Sequence, residues 1–167
     1  TLELELDNLP ESAVDILRSH PSFAENEEED SAEKVLTKEI AEQFLADRDS
    51  VYLSEFTAIE AAAAESLSKF KGNLGLSGLT SLSDAAAESL SKRKGRYLNR
   101  LSGLTSLSDA AAESLSKLKG NLGLSGLTSL SDAAAESLGK HEGGLYLEGL
   151  TSLSDAAAES LGKHEGG

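Results

Sequence analysis

Several residue types are missing from this 167-residue chain, or nearly so. It contains no cysteine, methionine or tryptophan, and aromatic residues make up only 4%. Without cysteine it can form neither disulfide bonds nor thiolate metal sites. With so few aromatic side chains, leucine and alanine must build almost the whole interior, a bias typical of repeated sequences. No hydrophobic run approaches the roughly 18 residues that a membrane span needs, so we predict no membrane partner.

Positive charge is also scarce, and the acidic excess is unevenly distributed. The chain has 15 basic and 29 acidic residues, a net charge of −14. Residues 1–60 contain 17 acidic and 4 basic residues (−13), whereas residues 61–167 contain 12 and 11 (−1). Binding to nucleic-acid phosphates requires clustered lysine and arginine. We therefore predict no nucleic-acid partner and attribute the acidic excess to solubility.

A twelve-residue block dominates the second half of the sequence. LTSLSDAAAESL occurs identically at 79–90, 104–115, 127–138 and 150–161, and the variant FTAIEAAAAESL occurs at 56–67. Successive blocks begin 23, 25, 23 and 23 residues apart. Units of this length cannot bury their apolar faces alone and do so by stacking on their neighbours.

Each repeat combines two local signals. A short alternation of leucine with another residue predicts a parallel strand, and it occurs at 51–53, 74–76, 122–124 and 145–147. The SDAAAESL segment predicts a helix, because serine is a good N-cap, aspartate suits the helix N-terminus and alanine has the highest helix propensity. Gly95 is expected to end one of these helices. The predicted N-caps are Ser83, Ser108, Ser131 and Ser154.

The combined pattern L-x-L-x-x-L-T-x-L-S-D-A-A-A-E-S-L resembles a leucine-rich repeat. It is closest to the cysteine-containing subtype, with Leu150 at the cysteine position, and the alanine-rich 23-residue repeats resemble bacterial arrays of this kind. Other matching positions are Leu145, Leu147, Leu153, Ser154, Asp155 and Leu161. The resemblance implies an α/β solenoid of about seven repeats, with parallel strands on the concave side and short helices on the convex side. It also implies an interaction scaffold without catalytic residues.

We divide the chain into divergent N-terminal repeats at 1–50 and regular repeats at 51–167. Within the first part, residues 4–9 fit a strand, 13–19 a helix and 31–46 an amphipathic helix, and the acidic run at 25–30 fits an exposed loop. The last repeat is nearly a copy of its neighbour. Its C-terminal side should therefore be partly apolar, which predicts end-to-end self-association.

A protein-binding surface is expected on the concave strand face, where side chains of the strands are displayed side by side. We predict an unidentified protein partner, no cofactor, no metal and no enzymatic activity, since no nucleophile motif or phosphate-binding loop occurs. An architectural spacer is the alternative function, and a metal-binding repeat array is a second alternative. The candidate binding residues are Tyr52, Glu55, Arg100, Tyr146 and Glu148.

Two further features have competing interpretations. His141-Glu142 and His164-Glu165 recur one repeat apart and suggest a metal site, although solvated turns after helices are the favoured interpretation. The basic stretch at 92–100 coincides with the 25-residue interval, and it fits either a tolerated two-residue bulge or a binding loop for an acidic partner. Asn99 would take a leucine position if Leu104 sets the register.

Overall fold

The computed structural model describes residues 33–94 and 99–165. Internal contacts divide the chain into two compact parts, Thr1–Ala32 and Glu33–Gly167. The second part contains all the described residues. The predicted strand at 4–9, the helix at 13–19, the acidic loop at 25–30 and the stop at Gly95 lie outside them.

Strands and helices alternate along the described residues. The strands are β1 (Val35–Leu36), β2 (Ala58–Ile59), β3 (Leu74–Gly75), β4 (Asn99–Arg100), β5 (Leu122–Gly123) and β6 (Leu145–Tyr146). The α-helices are α1 (Lys38–Ala46), α2 (Ala61–Ser68), α3 (Asp84–Ser91), α4 (Asp109–Ser116), α5 (Asp132–Gly139) and α6 (Asp155–Gly162). Two 3₁₀ turns, Arg48–Ser50 and Leu53–Glu55, separate α1 from β2.

All described strands pair in parallel. β1 pairs with β2, and β3, β4, β5 and β6 form a second sheet in sequence order. In that sheet Arg100 lies opposite Gly123, and Gly123 lies opposite Tyr146, so these three residues form one row. Consecutive units are therefore spatial neighbours, and the side chains of Arg100 and Tyr146 share one surface on either side of Gly123.

Helices α3 to α6 begin where the sequence predicts. Ser83 accepts a hydrogen bond from the amide of Ala86, and the three other predicted N-cap serines make the same bond to alanine amides in their own helices. The four N-cap predictions are confirmed. Each helix packs on the next one along the chain. None of the helices in residues 33–94 and 99–165 is long and apolar enough to cross a membrane.

The core consists of ladders of equivalent leucines and alanines. Leu79, Leu104 and Leu127 follow the strands at successive repeats, and each is 0% exposed. Alanine pairs on the helices are equally buried, as in Ala111-Ala112. Burying a leucine side chain contributes roughly 1.5–3 kcal/mol, so these ladders are the main source of stability. The small alanines let consecutive helices approach closely.

The predicted fold class is wrong. We expected a leucine-rich-repeat solenoid with a continuous strand-lined concave side. In the described residues each α-helix has eight or nine residues and each strand only two. The strands also fall into two separate sheets. Alternation lasts only three residues before a Ser-Gly or Glu-Gly turn, whereas DAAAESL strongly favours helix. The fold is helix-rich with short parallel strand segments.

Two predicted elements near the start of the described residues also need correction. The strand expected at 51–53 is absent: residues Leu53–Glu55 form a 3₁₀ turn, and the strand of that unit is β2. The helix expected at 31–46 begins only at Lys38, because Val35 and Leu36 form β1. β1 and β2 each lie just before a helix. Their apolar residues therefore continue the helical spacing, and the sequence pattern gave no sign of a strand.

Candidate functional site

A shallow groove crosses the second sheet on the side opposite the helices' core contacts, and we call it the strand groove. It is lined by Arg100, Ser102, Gly123, Ser125, Tyr146 and Glu148 and has a volume of about 280 Å³. Gly123 forms the floor between Arg100 and Tyr146, which stand one strand away on either side. Two strand spacings separate the arginine from the tyrosine, roughly 10 Å. The groove thus offers a cation, an aromatic ring and hydroxyl groups within reach of one ligand side chain.

The carboxylate of Glu148 is fixed at one end of the groove. Ser125 Oγ donates a hydrogen bond to Glu148 Oε2 across the interval of one repeat. This bond, together with a backbone hydrogen bond to Glu148, holds the pKa of that carboxyl below its usual value. Glu148 is therefore ionised at neutral pH, and the groove carries opposite charges at Arg100 and Glu148.

We expect the Ser125→Ala variant to raise the pKa of Glu148 toward the ordinary glutamate value, because the largest cause of its lowering is removed. The lowered pKa in the folded state contributes stability above the unfolded pKa, and this contribution is lost as pH falls through the folded pKa. Carboxyl ¹³C titration of Glu148 measures the change. Ser102→Ala is the control, and equal Glu148 titration in both variants would contradict the prediction.

The strand groove brings together three of the five predicted binding residues. Arg100, Tyr146 and Glu148 line it, and Tyr146 is 42% exposed. Tyr52 is 71% exposed but precedes the 3₁₀ turn of an earlier unit, and neither it nor Glu55 lines the groove. The strand predicted at 51–53 would have placed Tyr52 in the same sheet, one strand beyond Gly75 and four strands from Tyr146, but no strand forms there.

A second set of residues lies two positions after the end of each helix from α2 onward. We call this place in the repeat the carbonyl position. It comprises Phe70, Arg93, Leu118, His141 and His164. The first four are at most 9% exposed. Arg93 Nε donates to the carbonyl oxygen of Phe70 at 3.3 Å, and its Nη2 donates to that of Gly72 at 2.5 Å. Burial lowers the pKa of the Arg93 guanidinium, which remains charged at neutral pH.

His141 occupies the same position two units later and makes the same kind of contact. Its Nδ1 lies 3.1 Å from the carbonyl oxygen of Ser116, and its Nε2 lies 2.8 Å from that of Gly120. Both partners are acceptors, so a doubly protonated ring donates to both and a neutral ring to one. The solvated turn expected here is wrong for His141, which is 2% exposed.

The rings of the two histidines stack on each other. The ring centroids of His141 and His164 are 6.3 Å apart and the planes differ by 20°. Both nitrogens of His141 face carbonyl oxygens, which leaves neither directed at a shared ion. Within the described ranges no group of three or more histidine, cysteine, aspartate or glutamate side chains could hold a metal. Stacking and the two carbonyl contacts account for the position of His141, whereas both ring nitrogens of His164 are buried without a hydrogen-bond partner among the described residues.

Two larger depressions lie along the helices, with volumes of about 830 and 730 Å³. Exposed lysine and glutamate side chains one helical turn apart line both of them, such as Lys140 Nζ and Glu136 Oε1 at 2.9 Å. This contact holds the pKa of Glu136 below its usual value. Equivalent pairs recur along the helices, and exposed pairs of this kind contribute little. The larger depression is also lined by His141, Glu142 and Glu165.

The irregular unit keeps the register that Leu104 implies. Asn99 pairs with Leu74 and with Leu122, so it takes the leucine position, as predicted. The two additional residues of this unit lie before β4. Arg100 consequently enters the same row as Tyr146, and the break in the repeat length does not displace the strand groove.

The sequence interpretation missed the burial of Arg93 and His141. Treating each unit by itself made both residues part of a polar stretch after a helix. Aligning the units by their helices would have placed them beside Phe70 and Leu118, whose apolar side chains signal an interior position.

Comparison with protein-family models, characterised proteins and solved structures finds no match to this chain.

Proposed function

We propose that this protein is an interaction module that binds a protein partner through the strand groove. The observation that carries the proposal is the convergence of Arg100, Tyr146 and Glu148 around a glycine floor. Arg100 and Tyr146 stand where β3 and β5 have glycine, and Glu148 stands where the three preceding units have serine. Arginine and tyrosine are the residue types that most often dominate binding energy at protein interfaces.

The chemistry of the groove favours an extended polar segment with an acidic side chain. A partner carboxylate can accept charge-assisted hydrogen bonds from Arg100, while an adjoining apolar group packs on the ring of Tyr146. Glu148 is restrained by Ser125 and offers an acceptor for a partner donor. At about 280 Å³ the groove accommodates one or two side chains and is too open to enclose a small molecule.

The double variant Arg100→Ala/Tyr146→Ala tests the proposal against a matched control. Tyr52→Ala/Lys119→Ala removes one exposed tyrosine and one exposed cation outside the groove. We expect a partner captured from the native host to be lost by the first variant and retained by the second. The affinity change should be about 2 kcal/mol or more, measured by calorimetry with the purified partner. Equal binding by both variants, with folds intact by circular dichroism, would favour the spacer function.

A further inference from the structure

A row of lysines follows three consecutive helices, and we call it the lysine row. Its members lie three positions after the ends of α2, α3 and α4, and they are the exposed residues Lys71, Lys94 and Lys119. Lys92, the C-cap of α3, already pairs with Glu88 at 3.6 Å, and the C-cap lysine of α4 pairs in the same way. The lysine row makes no ion pair among the described residues, so its charges are available to a ligand.

The buried arginine at the carbonyl position joins two members of the row. Arg93 donates hydrogen bonds to the carbonyl oxygens of the two residues that flank Lys71, and Lys94 follows Arg93 directly. The turns that carry Lys71 and Lys94 therefore pack on each other. Helix α4 packs on α3, which places Lys119 one unit further along. Neighbouring members are then roughly 5–10 Å apart, between the spacing of paired strands and that of packed helices.

The ends of the helices do not account for these lysines. A cation near a helix C-terminus complements the helix dipole, and every helix from α3 onward has a lysine C-cap for this purpose. After α5 and α6, however, Glu142 and Glu165 stand where the lysine row would continue. A helix of this array thus ends without a second lysine. The sign of the charge changes between Lys119 and Glu142, which line the same depression.

Arg93 adds another positive charge directly behind the row. It is 2% exposed, and its hydrogen-bond partners are two backbone carbonyl oxygens. Its Nη1 is buried without a partner among the described residues, where no carboxylate pairs with the guanidinium either. A buried charge without a counter-charge is costly, and a nearby negative charge reduces that cost. An anionic ligand on the lysine row would supply this negative charge.

We propose that the lysine row binds an extended acidic segment of a partner protein. In an extended segment every second side chain points the same way, and such side chains are about 6.6–6.8 Å apart. Three alternate carboxylates therefore match the three lysines. A nucleic acid fits less well, because its long chain of phosphates would also meet the acidic remainder of a protein whose net charge is −14. No member of the row lines the strand groove, so this proposal does not rest on the proposed function.

Fluorescence anisotropy with the full chain and a labelled peptide tests the proposal at about 0.1 M ionic strength. The peptide alternates serine with three glutamates, and its control has glutamine in place of glutamate. We expect only the glutamate peptide to bind, and added salt should release it because exposed charges are screened. Arg100→Ala/Tyr146→Ala should not affect this binding. Equal binding of the two peptides, or loss of binding in the groove variant, would overturn the proposal.

Charge-matched variants locate the binding. Replacing the row by glutamine removes three charges and should weaken binding of the glutamate peptide by about tenfold or more, as expected for three exposed ion pairs. Three exposed lysines outside the row are replaced in the control, which should change the affinity by less than about threefold. Equal weakening by both variants would assign binding to net charge and refute the lysine row. The control variant is Lys34→Gln/Lys38→Gln/Lys163→Gln.

A variant that extends the row gives a test that requires no lysine to be removed. Glu142→Lys continues the row by one unit and should tighten binding of the glutamate peptide by about threefold or more. Glu55→Lys makes the same charge change at an exposed residue outside the row and should leave the affinity nearly unchanged. Equal tightening by both variants would contradict the proposal. So would tighter binding of a single-stranded oligonucleotide than of the peptide by the parent chain.

Discussion

The Gly126→Ala variant is expected to lose about 3 kcal/mol of unfolding free energy, or about 6 to 12 °C in Tm. A Cβ at Gly126 would lie 2.0 Å from the carbonyl oxygen of Ser102 and 2.7 Å from that of Leu104. Both obstacles are backbone atoms of the preceding unit, so neither can rotate away. Separating the two turns would strain the nearby bond from Leu101 N to Gly123 O, which is 2.8 Å long.

Gly75→Ala is the control for this substitution, because nothing lies within 4 Å of the Cβ position of Gly75. We expect its stability to change by less than about 0.5 kcal/mol. Thermal and denaturant unfolding, followed by circular dichroism, would compare the two variants with the parent chain. A tolerated alanine at Gly126 would show that the turns of consecutive units are not in close backbone contact.

The glycines at these turns illustrate what a repeated sequence predicts and what it hides. The interval of 23 residues and the Ser-Asp-Ala signal located the helices, because capping and propensity act within a few residues. That a glycine recurs in each turn was also visible. The reason for the glycine is that a carbonyl oxygen of the preceding unit lies against it. That unit is about 23 residues away in the sequence, so the contact is seen only in the packed structure.

For three strands of the second sheet, the sequence predicted the positions but not the lengths. Leucine alternation correctly located β3, β5 and β6. No strand is predicted in the irregular unit, where Asn99 takes the leucine position that the register of Leu104 implies. Alternation did not predict that each strand would stop after two residues. Strand length depends on where the following turn begins, and Val51 with Tyr52 carries the alternation without any strand. The predicted continuous strand-lined surface failed for this reason.

The strand groove owes its character to departures from the repeated pattern. Near-identical units supply a rigid support, but they place glycine at two of the four positions in the row, Gly75 and Gly123. Arg100 and Tyr146 replace glycine in the other two, on either side of Gly123. The sequence could identify these substitutions as candidates. Only the register between strands shows that Arg100 and Tyr146 face one groove and that Tyr52 does not.

The Arg93→Ala variant is expected to lose about 2–4 kcal/mol of unfolding free energy, because it leaves a cavity and two carbonyl oxygens without their donor. Arg93 is 2% exposed, and its guanidinium donates to the carbonyl oxygens of Phe70 and Gly72. The equivalent residue of the next unit, Leu118, is also 2% exposed. An apolar side chain therefore fits this position of the repeat.

Arg93→Leu separates the contribution of packing from that of the hydrogen bonds. Leucine fills most of the space and removes the cost of burying a charge, so we expect it to recover at least half of the stability lost by Arg93→Ala. Urea unfolding of both variants measures the difference. If Arg93→Leu were as unstable as Arg93→Ala, the carbonyl bonds would be the main stabilising contribution of Arg93. If neither variant lost stability, the buried arginine would contribute nothing to the stacking of consecutive units.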